Sequence, residues 1–326
     1  MNRALLRKCI LEAQWLFWAC AAAVFAFCWV RVWLVSRLEM SKFRTIIETF
    51  HDEVERFLPV SIDALFSYTG RIAVIYEEAI VILCMVIWAV SRGTDSVSGE
   101  LGRGTMEMLL AQPLSRIQVL WHQAAVTIGG VLLLATTTWL GTFVGIQTLK
   151  AKEEKPAPSV ISSILQLKWP IQSKKEYIYV PLREKVDARD LLPGAVNLFS
   201  LGFFLAALST LVSSMDRYRW RAIGIVVGIY IVQLVLKVVG VAAEDWRWLC
   251  YASFFTPYEP QLLTQVALEH PAEAWNFVRE TTDPNAKHVL ASLGPLGFSG
   301  ILWTLGGLCY AGATVRFCTR DLPPPL

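Results

Sequence analysis

Charge is scarce in this chain: Asp, Glu, Lys and Arg together make up 17% of its 326 residues. A soluble globular chain averages about 25%, so an ordinary soluble domain is excluded. The charges nearly cancel, at a formal +3, which excludes the basic footprint of a nucleic-acid partner. The phosphate-cradling pattern G-x-x-x-x-G-K-[ST] is absent. Without its backbone amides and lysine, this chain has no P-loop with which to bind and cleave ATP. No H-E-x-x-H occurs, and His51, His122, His270 and His288 are dispersed, so no metal site and no catalytic base is expected. His122 reads as structural. The seven cysteines form no C-x-x-C pair, and most fall in apolar runs. There they behave as small hydrophobes, and neither a zinc site nor a disulfide framework is expected. No N-x-[ST] sequon, low-complexity tract or internal repeat is present.

What the chain does have is apolar length. It is 55% hydrophobic, with mean hydropathy +0.46 and 13 tryptophans. Runs near 20 residues cross the roughly 30 Å hydrocarbon core at about 1.5 Å per residue. Six spans are expected, at about 14–35, 72–90, 123–149, 195–213, 222–243 and 295–315. This predicts an all-α polytopic membrane protein, one domain over 1–326, with the first run, too long for a signal-peptide core, kept as a span. Residues 1–13 alternate Arg3, Arg7, Lys8 and Glu12 with Leu5, Leu6, Cys9 and Ile10. They suit a short interface helix, a frayed basic tail being the plainer alternative.

Six spans put both termini on one side. The terminal segments and the two short loops carry eleven Lys/Arg against six Asp/Glu, including Arg217, Arg219 and Arg221. The three long loops carry seventeen against nineteen. The positive-inside rule therefore expects cytoplasmic termini and long extracytoplasmic loops. In the first long loop, Ile46, Ile47, Phe50, Val54, Phe57 and Leu58 recur at helical spacing. In the second, residues 159–186 are rich in β-branched and aromatic residues with Pro breaks, which suggests short strands or irregular structure. The third opens on Trp246, Trp248, Tyr251, Phe254 and Phe255, as at a membrane–water boundary. Gly141-x-x-x-Gly145 and Gly224-x-x-x-Gly228 could pack spans, within the chain rather than across a dimer seam.

Four charges fall inside spans, Arg31 late in the first and three more. Glu77 and Glu78 lie near the outer end of the second, and Lys237 lies at similar depth in the fifth, roughly 9 Å from the boundary. Such charges pair or line a pathway. Lys237 is expected to pair with Glu77 or Glu78, leaving the other carboxylate protonated or facing a polar cavity. Snorkelling of all three is the alternative, and it is the reading for Arg31.

Between the second and third spans, over 91–121, lies a polar loop containing GELGRGTMEMLLAQPLSR. Thr105 can N-cap a helix, Glu107 favours its first turn and Pro113 stops it. Met106, Leu109 and Leu110 share one face, and Glu107 points toward another. The pattern E-x-x-x-G-T-x-E-x-L-L-x-x-P-x-S-R resembles the inner loop of ABC-2-type transporter permeases. It is carried by Glu100, Gly104, Thr105, Glu107, Leu109, Leu110, Pro113, Ser115 and Arg116. The group associated with nitrous-oxide-reductase maturation looks nearest. The resemblance implies that these residues form a coupling helix that docks on a separate ABC ATP-binding subunit. ATP and magnesium would sit on that partner, none in this chain. It also implies a second permease copy or paralogue, surrounding lipid and a bacterial inner membrane. The implied function is the permease of an ATP-driven exporter, and its sparse intramembrane charge would suit a hydrophobic or lipid-linked cargo. A non-transporting scaffold driven by an ATPase is the alternative. An intramembrane hydrolase built on Gly297-Phe298-Ser299-Gly300 lacks a later histidine base.

Overall fold

The computed structural model describes residues 3–37, 67–154, 177–279, 289–290 and 292–320. Six helices are long and apolar enough to cross a membrane. The first, α1, runs Arg3–Arg37. Its 35 residues measure about 52 Å, and no break separates the basic first turns from the span. The second, α2, covers Tyr68–Gly102. It opens with Ser67 Oγ accepting the Gly70 N–H at 2.9 Å. A 3₁₀ turn at Val74–Glu77 and an extended Glu78 interrupt it before the helix Ala79–Thr94. A π-helical turn at Asp95–Gly99 then leads into Glu100–Gly102. The short α3 is Thr105–Leu110, and α4 is Arg116–Thr148.

A two-stranded antiparallel ribbon follows, β1 Lys150–Glu154 against β2 Tyr177–Pro181. Only β2 falls within the segment expected to hold short strands or irregular structure, and 155–176 lie outside the described residues. The chain continues through α5 (Leu192–Met215), α6 (Arg219–Ala242), α7 (Pro260–Glu269) and α8 (Pro295–Thr319). The helix expected over Ile46–Leu58 also lies outside the described residues, as do His51 and His288.

Burial ranks the spans. In α5, 72% of the most apolar window is buried, and α6 has 11%. So α5 is the axis, packed on α8, α2 and α4, while α1 lies along α4. The hydroxyls buried on α5 bond back into their own helix: Ser209 to Leu205 O at 2.6 Å and Thr210 to Ala206 O at 2.8 Å. This satisfies polar groups that lipid-facing packing could not. Small residues set the crossings. A Cβ on Gly145 would lie 2.8 Å from Val32 Cβ, so the first glycine pair packs α4 on α1 within the chain, as expected. A Cβ on Gly224 or Gly228 would meet nothing within 4 Å, so the second pair does not pack within the chain and lies on open surface.

The tightest crossing is α2 on α4. Trp88 is buried and its Nε1 donates to Thr127 O at 2.9 Å. A Cβ on Gly130 would sit 2.0 Å from the indole Cζ2. An indole pinned by its own hydrogen bond cannot step aside. Gly130→Ala is expected to destabilise the detergent-solubilised protein by about 1–3 kcal/mol, the usual cost of overpacking. Thermal unfolding should show a lower midpoint, whereas Gly129→Ala, which meets nothing within 4 Å, should not.

Candidate coupling surface and the polar network beneath it

The first turns of α1 and the last turn of α8 lie at one end of the bundle, here the terminal end. Leu5 and Cys9 of α1 cluster there with Leu109 and Val119, and Phe317 of α8 clusters with Met106 and Leu120. The loop between α2 and α4 is therefore seated from two sides. Gly104 makes the turn into α3, at φ +70, a conformation that costs glycine little. Helix α3 has six residues, with Met106 and Leu109 buried. Met108 is 70% exposed and Glu107 is exposed beside it. Ala111, Gln112, Pro113 and Ser115 extend that exposed face, and Leu110 is half-buried.

The loop's exit is equally fixed. Ser115 caps α4, its Oγ accepting Gln118 N–H at 3.2 Å while Gln118 Oε1 accepts Ser115 N–H at 3.1 Å. This reciprocal box satisfies two otherwise orphan donors. The Arg116 guanidinium donates to Phe317 O at 3.2 Å and Arg320 O at 2.6 Å, clasping the last turn of α8. His122 bonds through Nδ1 to Gln118 O at 2.6 Å, the structural role expected of it.

Two of the expected roles change. Thr105 is not the N-cap: Gly104 holds that position, and the Thr105 hydroxyl donates to Glu100 Oε2 instead. Glu100 is fully buried and lies beneath the exposed face. Its Oε1 takes Lys8 Nζ at 2.9 Å, Arg103 Nη2 at 3.3 Å and Gln123 Nε2 at 3.3 Å. Next to it Asp95, also buried, takes Arg103 at 2.7 Å, Arg219 at 3.2 Å and Arg92 at 3.3 Å. Arg92 Nη2 closes the ring on Gln123 Oε1 at 3.1 Å. Two anions thus gather cations from α1, α2, the loop and the start of α6.

Sequence reasoning missed Asp95, Arg92, Arg103 and Gln123 as a unit. Its one signal was the polar run Thr94–Ser98 attached to a greasy helix. That run is the π turn. Its slack lets Ser213 Oγ of α5 donate to Thr94 O at 2.8 Å and accept Ser98 N–H at 2.9 Å. Single-turn π segments recur at functional sites.

At the other end, the loop end, the charges pair differently from expectation. Lys237 does not pair with Glu77 or Glu78. Its Nζ lies 2.6 Å from Glu259 Oε1, and it also donates to Phe255 O at 3.1 Å and Tyr258 O at 3.2 Å. The physical reason is the segment 249–259, which folds back over α6 and supplies an anion from a loop. Glu78 bonds Arg31 at 2.8 Å, so Arg31 is paired rather than simply snorkelling. Glu77 accepts from Gln261 Nε2 of α7 at 2.8 Å. The aromatic cluster divides: Trp246, Trp248 and Tyr251 are exposed, while Phe254 and Phe255 turn inward against Phe204 and Tyr230. Ser299 is buried, and a Cβ on Gly297 would meet Phe277 O at 2.3 Å, so the Gly-rich start of α8 packs the preceding turn.

Helix α3 is thus seated on the ends of α1, α4 and α8, with Glu107 and Met108 turned away from the bundle. A family model described as an ABC-2 family transporter protein matches residues 13–322. The chain belongs to the ABC-2 transporter family. It is accordingly a polytopic membrane protein of the permease type, and such permeases work with an ABC ATP-binding partner. No curated protein matches the chain closely enough to count as a relative.

Replacing Asp95 tests the network. Asp95→Asn leaves Arg92, Arg103 and Arg219 without their shared anion. Breaking a buried pair typically costs about 3–5 kcal/mol. A fall of that order in stability is expected by chemical or thermal unfolding in detergent, with Arg221→Gln, whose side chain is 53% exposed, as the silent control.

Proposed function

We propose that this chain is the membrane subunit of an ATP-driven exporter, and that α3 with its exposed flank is the coupling helix. The observation that carries this is the seating of α3. Met106 and Leu109 are held in the bundle, while Glu107 and Met108 face away from it. A short helix fixed on one side and free on the other can receive a displacement and pass it on as a rigid body. Among the matched residues the roles divide. Glu107, Pro113 and Ser115 lie on the face offered to the ATP-binding subunit. Gly104 sets the angle of the helix. Leu109 and Leu110 seat it. Glu100, Thr105 and Arg116 tie it to the spans. ATP and magnesium are bound and turned over on the partner.

The denser basic charge of the terminal end supports cytoplasmic termini, in a bacterial inner membrane by family likeness. A second permease copy or paralogue completes the assembly, and α6, with Gly224 and Gly228 on open surface, is the span best suited to meet it. Outward movement of cargo then follows from closure of the two ATP-binding subunits pushing on α3.

Co-purification in mild detergent tests this directly. An ATP-binding chain should come with the wild-type protein. Glu107→Arg should weaken that association at least about tenfold, since like charges brought together at an interface cost several kcal/mol. The same variant should leave the unfolding midpoint unchanged, because Glu107 is exposed. Retention of the partner at wild-type level would remove α3 from the interface. ATP turnover with no accompanying cargo movement would replace export with a scaffold role.

A further inference from the structure

At the loop end, one buried pair of groups lacks a hydrogen. Glu77 Oε2 accepts from Gln261 Nε2 at 2.8 Å. The other oxygen of each group, Glu77 Oε1 and Gln261 Oε1, is buried and has no partner among the described residues. Gln261 is 9% exposed. An ionised carboxylate is acceptor-only, and so is an amide oxygen. Two acceptors cannot satisfy each other. We propose that Glu77 is a proton-binding site: its neutral carboxyl, protonated on Oε1, donates to Gln261 Oε1 and closes an acid–amide pair. The balance is simple. One proton converts Oε1 into a donor, Oε2 goes on accepting the amide N–H, and both orphan atoms are satisfied together.

The neighbouring charges are engaged with one another. The ammonium of Lys237 has three hydrogens, and Glu259, Phe255 O and Tyr258 O take them. Among the described residues Glu77 makes no ion pair, and the nearby Lys237 is paired with Glu259. Glu78 is engaged with Arg31, and the Arg71 guanidinium lies over the Tyr68 ring at 4.3 Å. The hydroxyl of Tyr258 donates to Tyr76 O. Ionisation would put a lone charge at the contact of α2 with α7. The proton is therefore what holds the loop-end helix down on the second span.

Infrared spectra of the full chain in lipid nanodiscs test this without any partner subunit, so the result is independent of the exporter reading. At neutral pH the wild type should show a protonated-carboxyl C=O stretch that shifts on transfer to D₂O. Glu77→Gln should lose that band. Gln261→Leu, which removes the acceptor but keeps Glu77, should move it to higher frequency, and this variant decides the matter if Glu77→Gln does not fold. A wild-type spectrum with only ionised-carboxylate bands, or a protonated band unaffected by either variant, would overturn the proposal.

Discussion

Asp95 and Glu100 are carboxylates buried away from water, and the terminal end of the bundle is organised around keeping them satisfied. An isolated anion there would be very costly. Every cation that neutralises them arrives from a different part of the chain: Lys8 from α1, Arg92 from α2, Arg103 from the turn before α3 and Arg219 from α6. The consequence is mechanical. The loop between α2 and α4 cannot shift without carrying those helices or exposing a charge. Apolar contacts alone would let helix ends slide over one another. Ion pairs without water do not.

The loop end uses the same device on a smaller scale. Lys237 and Glu259 neutralise each other across α6 and the returning segment. Asn197 of α5 ties the same segment down, its Nδ2 donating to Pro257 O at 2.9 Å and its Oδ1 accepting Glu259 N–H at 3.1 Å. Between the two ends the bundle is held by shape, with Gly130 and Gly145 admitting Trp88 and Val32. Polar bonds fix the ends, and close apolar packing fixes the middle.

The spans were legible because hydropathy over about 20 residues is a local property of the chain. The α3 motif was legible for a similar reason: its buried and exposed faces follow from the spacing of Met106, Leu109 and Glu107. Partner choice among charges was not. Lys237 and Glu77 share a depth along their spans, yet depth says nothing about rotation around a helix or about a loop folding back. Glu259 looked like an ordinary loop residue for that reason. Likewise Glu100 reads as a surface charge in a polar loop, and only the approach of α1 and α4 buries it. Thr105 lost the cap because Gly104 takes the left-handed turn, leaving the hydroxyl to reach back to Glu100.

The sparse burial of α6 sets it apart from its neighbours. Arg219 fastens one end through Asp95 and Ser91, and Lys237 fastens the other through Glu259. Little protein touches the flanks between. Such a helix behaves like a beam pinned at both ends and loaded along its length. Whatever lies along those open flanks, a neighbouring span or lipid, can bow or roll it while its attachments stay in place.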